Sequence, residues 1–488
     1  MVKRTDHIAV YIAVGKIVAM VLGFVTPLFL TRFLTKGDYG IYSQFNTVFL
    51  FGGSIFGMGI QSNLYFFYPS AKSEQEKSLL ITNTFILQTL TTTIGLLLLL
   101  TTPVSNWLLG DKELHQFIII IVLTTWFYVP TRILDPLFTL RKDGKASMMF
   151  PAIETIGKVL LIVVSALVFK NIHSILWAVC LFQLGCFIYA RIYSRQSGMS
   201  FRYYKSDWTM IRKILAYSFP FGFAVILNTL LSRLDKLICI SYLTTEQYAI
   251  YSLAFFGIPG VMQVYDALCQ VNVMDMSKAY HDNNRERILS LYRSFVLKTL
   301  SFSLPLILVV FVFAKPIVVL LFTDKYLEAV PFFQVYILTF IVAMLGAGTI
   351  LRAINKTRMS LKAYAISAVF FIPTLYILIR QIGIWGAMGG ALIGNMLPRF
   401  IQIMMEMKQM RCSLKEYFPI KQMFFISLIG FGLVIPVYML NHFYNLNYYI
   451  CGIAGGVYMF VAYSLEMKLE LMANPLPLII GKFRLKQK

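Results

Sequence analysis

Long apolar runs alternate with short polar intervals along the whole chain. A helix that crosses a bilayer needs about 20 mostly apolar residues. Runs of that kind lie near 8–30, 41–67, 79–103, 115–140, 146–169 and 172–193, then near 214–241, 248–274, 295–322, 328–351, 359–380 and 384–407. Two more follow near 420–442 and 447–467. The pattern predicts an all-α polytopic membrane protein with about fourteen transmembrane helices. Six fall in each half, and a C-terminal pair has no partner in the first half.

The halves repeat. Phe33-Leu34-Thr35-Lys36-Gly37-Asp38-Tyr39-Gly40-Ile41-Tyr42-Ser43 is matched by Tyr242-Leu243-Thr244-Thr245-Glu246-Gln247-Tyr248-Ala249-Ile250-Tyr251-Ser252. Pro103 with Gly110-Asp111-Lys112 is echoed by Pro316 with Thr323-Asp324-Lys325, and Leu140-Arg141 with Lys145 by Leu351-Arg352 with Lys356. All three echoes lie roughly 210 residues apart. An even number of helices per half gives parallel repeats, related by an axis along the membrane normal. The expected boundaries are 1–200 for an N-terminal lobe, 201–412 for a C-terminal lobe and 413–488 for the helix pair and basic tail.

Composition agrees with this pattern: 58% of the 488 residues are hydrophobic and only 14% charged. The net charge of +22 raises the question of nucleic acid. Sorting Lys and Arg by loop answers it. The N-terminus, the loops at 68–78, 141–145, 191–213, 275–293, 352–362 and 408–421, and the C-terminus hold roughly 30 of the cations, against about six on the other side. That asymmetry predicts both termini in the cytoplasm and needs no nucleic acid. The linker is the 191–213 interval, with Arg191, Arg195, Arg202, Lys205, Arg212 and Lys213. The start, Lys3-Arg4 and an apolar run, resembles a signal peptide, but its length and Lys16 point to a retained helix. The six cysteines form no metal spacing and read as small apolar residues. No phosphate-binding loop, HExxH or GxSxG occurs. With short non-cytoplasmic loops, this argues for transport rather than an enzyme, and no cofactor or metal is expected.

Glycine spacing predicts close helix packing at Gly53 and Gly57, at Gly386, Gly390 and Gly394, and at Gly452 and Gly456. The candidate chemistry lies in cations inside the spans. A charge at mid-bilayer costs at least ~2.5–3.5 kcal/mol, so it needs a partner or a watery cavity. Lys298 and Lys315 are read near the ends of the ninth span, where they snorkel. Lys158 has Glu154 four residues earlier, which favours an internal salt bridge over a binding role, and Arg132, with Asp135 three residues on, reads equally as a local ion pair or a binding group. Lys16 has no acid at i±3 or i±4. Arg233 and Lys236 share a face of the seventh span while Asp235 projects elsewhere, so an interhelical salt-bridge cluster competes with a binding role. Arg399 follows Asn395 by one turn. The first and seventh helices are equivalent in the repeats. Cations on both predict an intramembrane anion site.

Leu30-Thr31-Arg32-Phe33-Leu34-Thr35-Lys36-Gly37-Asp38-Tyr39-Gly40-Ile41-Tyr42, with Leu234-Asp235-Lys236-Leu237-Ile238 and Tyr248-Ala249-Ile250-Tyr251-Ser252, resembles the signature of the polysaccharide (Wzx-type) flippases. These belong to the multidrug/oligosaccharidyl-lipid/polysaccharide exporter superfamily, with its MATE-like fold. The similarity covers nearly the whole chain; Ala249 stands where Gly40 stands in the first copy. The resemblance implies two six-helix lobes around a central V-shaped cavity. It implies a flippase for undecaprenyl-pyrophosphate-linked oligosaccharide in the bacterial cytoplasmic membrane, serving O-antigen, capsule or exopolysaccharide biosynthesis. Candidate partners are that lipid, membrane lipid, and the polymerase and chain-length machinery. Lys16, Arg233, Lys236, Arg399, Arg132 and Lys158 are then candidates for binding pyrophosphate or sugar, and Arg32, Asp38, Asp235, Asp135 and Glu154 for gating or salt bridges. A cation-coupled drug or metabolite antiporter of the same fold is the alternative, disfavoured because intramembrane cations outnumber acids. A membrane enzyme or assembly scaffold is the third class.

Overall fold

The structure, a computed structural model, describes residues 23, 25–101, 113–200, 208–257, 261–444 and 448–469. Lys16 and most of the first span, Gly110-Asp111-Lys112, Arg202 and Lys205 of the linker, and the basic tail lie outside the described residues. Among those described there is no strand, and nine helical stretches are long and apolar enough to cross a membrane. This is a multi-pass membrane protein. By contacts the chain divides into two compact units, 1–252 and 253–488.

Among the described residues the first unit opens with a helix at 25–33 (α1). It continues through α2 (Lys36–Gly57), the short α3 (Asn63–Phe67), α4 (Glu74–Leu99), α5 (Ile118–Thr131), α6 (Leu134–Leu140), α7 (Gly144–Val168), α8 (Ile172–Gln196) and α9 (Trp208–Tyr242). The contact boundary falls inside α10 (Thr245–Ala254). Caps explain the starts. Thr35 and Ser73 are extended, and their hydroxyls accept from the Asp38 and Glu76 amides, satisfying donors a first turn leaves open. Asp143 does the same for Ala146. The span expected at 41–67 is broken, because Met58 and Gly59 both turn left-handed and end α2. Pro130, which has no amide proton to donate, loosens the last turn of α5. Helix α5 packs on α8 and α2, and α9 packs along α2.

The second unit contains α11 (Val261–His281), α12 (Arg285–Val312), α13 (Ala314–Phe322), α14 (Val330–Ala343), α15 (Thr349–Ala353), α16 (Thr357–Met410), the short α17 (Leu414–Tyr417), α18 (Ile420–Tyr444) and α19 (Tyr448–Lys468). Its hub is α12, which packs on α11, α14, α18 and α19. Asn284 caps α12, so the helix starts about three turns before the apolar run at 295. Helix α12 thus extends beyond its apolar run, Lys298 sits about one turn into that run, and Lys315 opens α13. Helix α16 is 54 residues long but breaks at Ile382 and Gly383, where Gly383 has φ +58°. The two expected spans, 359–380 and 384–407, are its halves. They fold back so closely that a Cβ on Gly386 would lie 2.0 Å from the Leu378 carbonyl oxygen. Gly390 meets Leu375 and Gly394 meets Phe371 on the same face. In α19 the expectation fails: Gly452 and Gly456 face open space, and Gly455 is the residue against Val309. A step of one residue turns a helix by about 100°, enough to move a predicted face.

Glu406, an intramembrane acid that the cation survey did not weigh, is wholly buried. Its carboxylate accepts from the Leu351 amide at 3.0 Å and from the Tyr417 hydroxyl at 2.5 Å, tying α15 and α17 to α16. Helices α18 and α19 bury only 17% and 28% of their most apolar stretches, leaving a face suited to lipid.

Candidate functional site

The two copies of the repeated motif meet in the first unit, and their geometry is the same. Thr35 and Thr244 each accept from the amide three residues on. The Tyr39–Tyr42 and Tyr248–Tyr251 ring pairs have centroids 6.4 and 6.3 Å apart. The copies also touch: a Cβ on Gly40 would lie 2.0 Å from the Thr245 carbonyl oxygen. The Tyr248 hydroxyl donates to Thr47 on α2 at 2.9 Å, and Tyr251 donates to Asp235 on α9 at 2.9 Å. The short α10 thus clamps α2 and α9 together.

Beside this clamp lies a cluster of charges. The Arg132 guanidinium donates to Glu154 at 2.7 Å and sits 4.2 Å over the Tyr128 ring. Tyr128 packs edge-on against Phe49, at 4.7 Å, and over Gly53, where a Cβ would come within 2.8 Å of its ring. The Gly53 face of α2 therefore holds Tyr128, which in turn supports Arg132. This pairing corrects two local expectations. Glu154 pairs with Arg132 across helices rather than with Lys158 on its own helix, and Arg132 takes Glu154 rather than Asp135 as its salt-bridge partner. Arg132 reaches the neighbouring helix with one charge-assisted hydrogen bond, from Nη2 to Glu154, whereas an i,i+4 pair yields only a few tenths of a kcal/mol.

Tyr128 is within electrostatic range of Arg132, Glu154, Asp135 and Arg233. Lys158 is in range of Glu154 and Arg132, and Lys236 of Asp235 and Arg233. The structure thus links Arg132, Lys158, Arg233 and Lys236 with Glu154, Asp135 and Asp235, four cations with three acids. Arg233 forms no ion pair among the described residues. Other predicted residues have local tasks. Asp38 accepts from the Thr35 hydroxyl at 2.7 Å, within the cap of α2. Arg32 donates to the Leu28 carbonyl. Arg399, in the second unit, donates to Asn395 at its carbonyl and side-chain oxygens, 2.6 and 3.0 Å away, and shares the surroundings of Tyr265 with Arg352 and Asp266. Lys16 lies outside the described residues.

Sequence reasoning missed the uncharged members. Gln44 on α2 is 1% exposed, and both its amide atoms lack a partner among the described residues. It stands one turn before Thr47, on the clamped face. A signal existed: Gln44 lies just inside an apolar run, three residues before the Thr. A survey restricted to charges passes over it.

Comparison with known proteins adds the following. Residues 29–331 match the model of a family described as polysaccharide biosynthesis protein. An uncharacterized membrane protein in the cps region of Klebsiella pneumoniae is 23% identical over 413 residues, covering 81% of this chain and 79% of that protein. Among solved structures, the lipid II flippase MurJ in an inward closed conformation superposes with a TM-score of 0.74 at 15% identity, covering 94% of this chain and 99% of MurJ. An inward-facing multidrug resistance MATE family transporter of the MOP superfamily gives 0.57 at 12% identity, covering 82% of this chain and 94% of that one. At these identities the structural likeness speaks to fold.

Proposed function

Since the chain belongs to the polysaccharide biosynthesis protein family, we propose that it is a flippase for undecaprenyl-pyrophosphate-linked oligosaccharide units. It carries them from the cytoplasmic to the outer leaflet of the bacterial cytoplasmic membrane by alternating access, for surface polysaccharide synthesis. In this reading fourteen helices cross the membrane, both termini are cytoplasmic, and two six-helix lobes, 1–200 and 201–412, move against each other. The pair within 413–488 faces lipid and guides the polyprenyl tail. The protein moves its substrate without catalysing a reaction on it; a gradient or the membrane potential supplies energy.

The observation that carries the reading is the surplus of cations in the first unit, centred on Arg132, Arg233 and Lys236. Pyrophosphate gains charge-assisted hydrogen bonds from such groups. Intramembrane charges by default mark a transport path. Lys16 is proposed for the same anion site, Lys158 lends it positive potential, and Arg399 is a separate candidate for binding phosphate or sugar. Asp235, held by Tyr251, and Glu154, held by Arg132, are the gating acids, with Asp135 beside them. Arg32 and Asp38 shape the turn that precedes α2. The antiporter alternative calls for uncompensated acids, which this cluster does not offer.

The test is complementation of surface-polysaccharide export, with protein level measured alongside. Alanine at Lys16, Arg233 or Lys236 is expected to leave expression normal and to abolish export. Wild-type export by all three variants rejects the anion site. Flipping of a labelled undecaprenyl-pyrophosphate oligosaccharide in proteoliposomes tests the substrate, and proton- or sodium-driven drug extrusion in its place would establish the antiporter.

A further inference from the structure

A cavity in the second unit lies away from the cluster above. Its volume is about 1230 Å³, and it opens where the first half of α12 meets α17 and the start of α18. On α12, Ser290, Arg293, Ser294, Leu297 and Lys298 line it. Their spacing of three and four residues puts all five on one helical face. Lys415 comes from α17 and Lys421 from α18, and no carboxylate is among the lining residues. Phe424 and Phe425 form an apolar wall, 62% and 49% exposed.

We propose that this cleft binds the phosphate headgroup of an anionic glycerophospholipid, with its acyl chains along Phe424 and Phe425. Four cations around one opening repel one another unless an anion lies among them. The acid in electrostatic range of Arg293, Glu416, is engaged elsewhere: its carboxylate accepts from the Ser413 amide at 2.8 Å within a capping box. That amide holds the Glu416 carboxyl below its ordinary range, so it stays ionised and committed to the cap. Arg293 donates Nε to the Leu289 carbonyl, at 3.3 Å, and its terminal nitrogens have no partner among the described residues. Lys298, Lys415 and Lys421 are exposed and without an ion pair among the described residues. Basic pockets beside membrane helices select anionic headgroups. The two exposed phenyl rings decide for a lipid over a free anion, because an inorganic phosphate has no use for them. The proposal stands independently of the transported substrate.

The experiment is native mass spectrometry of the full chain in detergent, offered phosphatidylglycerol or phosphatidylcholine at equal concentration. Each surface cation is worth roughly a fivefold preference for an anionic lipid. Retention of phosphatidylglycerol should therefore exceed that of phosphatidylcholine by about tenfold or more. Lys298→Gln, Lys415→Gln and Lys421→Gln combined should remove most of the preference, leaving the roughly fivefold share of Arg293, while the protein elutes as wild type. If that variant misfolds, Lys421→Glu alone, at an exposed position, should still reduce the preference severalfold. Phe424→Ala with Phe425→Ala should weaken retention of the lipid. Equal retention of the two lipids, or an unchanged preference in the charge variants, overturns the proposal. Full competition by millimolar inorganic phosphate also overturns it, and makes the cleft a free-anion site.

Discussion

Gly40 rests on the backbone of Thr245. A Cβ at Gly40 would approach the Thr245 carbonyl oxygen to 2.0 Å, a distance no real contact tolerates. Thr245 belongs to the second copy of the motif that contains Gly40, so the repeat packs against itself. This contact gives a physical reason for glycine in the first copy, whereas the second copy carries Ala249, fully buried in its own surroundings. Gly40→Ala should destabilise the first unit by about 1–3 kcal/mol, the usual cost of overpacking a close contact. Ala249→Gly should cost about 1 kcal/mol or less from backbone freedom, plus the loss of one buried methyl. Thermal unfolding of the detergent-solubilised variants, ranked against wild type, checks both values. A Gly40→Ala protein as stable as wild type contradicts the contact.

The pair Arg132–Glu154 makes a sharper prediction. Removing one partner leaves the other charge unpaired, which costs about 3–5 kcal/mol when the site is buried. The pair is partly screened, with side chains 28% and 17% exposed, so the lower end of that range is expected. Arg132→Ala and Glu154→Ala should each lower the melting temperature, and Arg132→Met with Glu154→Leu should recover most of it. If Arg132 also binds substrate, the recovered double variant remains inactive in export. A double variant that exports normally assigns the pair to stability alone.

Gln44 hides an amide with no partner among the described residues, which costs about 1–3 kcal/mol. Gln44→Leu should therefore raise the melting temperature. If the amide finds its partner in another state of the transport cycle, the same change should slow export. A rise in stability with undiminished export confines Gln44 to a packing role.

Packing of α19 on α12 depends on Gly455, which faces Val309. Gly455→Leu should lower stability by about 1–3 kcal/mol. Gly456→Leu, facing open space, should change it by no more than about 0.5 kcal/mol. Equal effects in a thermal-shift measurement would contradict the assigned face.

The sequence by itself determined the class of this protein, because hydropathy sums along the chain. A run of twenty apolar residues declares a membrane helix whatever surrounds it, and the turn at Ile382–Gly383 fell between two such runs. The repeat was legible for the same reason: Thr35 and Thr244 cap through residues three positions away, and their ring pairs follow. Distances across helices were decided only by the tertiary structure. Local spacing offered Glu154 to Lys158 and Asp135 to Arg132, but the fold gave Glu154 to Arg132, because a guanidinium reaching between helices outcompetes a weak intrahelical pair. The same holds for Gly455, whose use depends on how far α19 is rotated against α12, and for the ends of the spans. Met58 and Gly59 turned left-handed inside an apolar run, and Asn284 started a helix well before one. Apolarity states what enters the bilayer; capping, packing and pairing state where a helix stops and what it touches there.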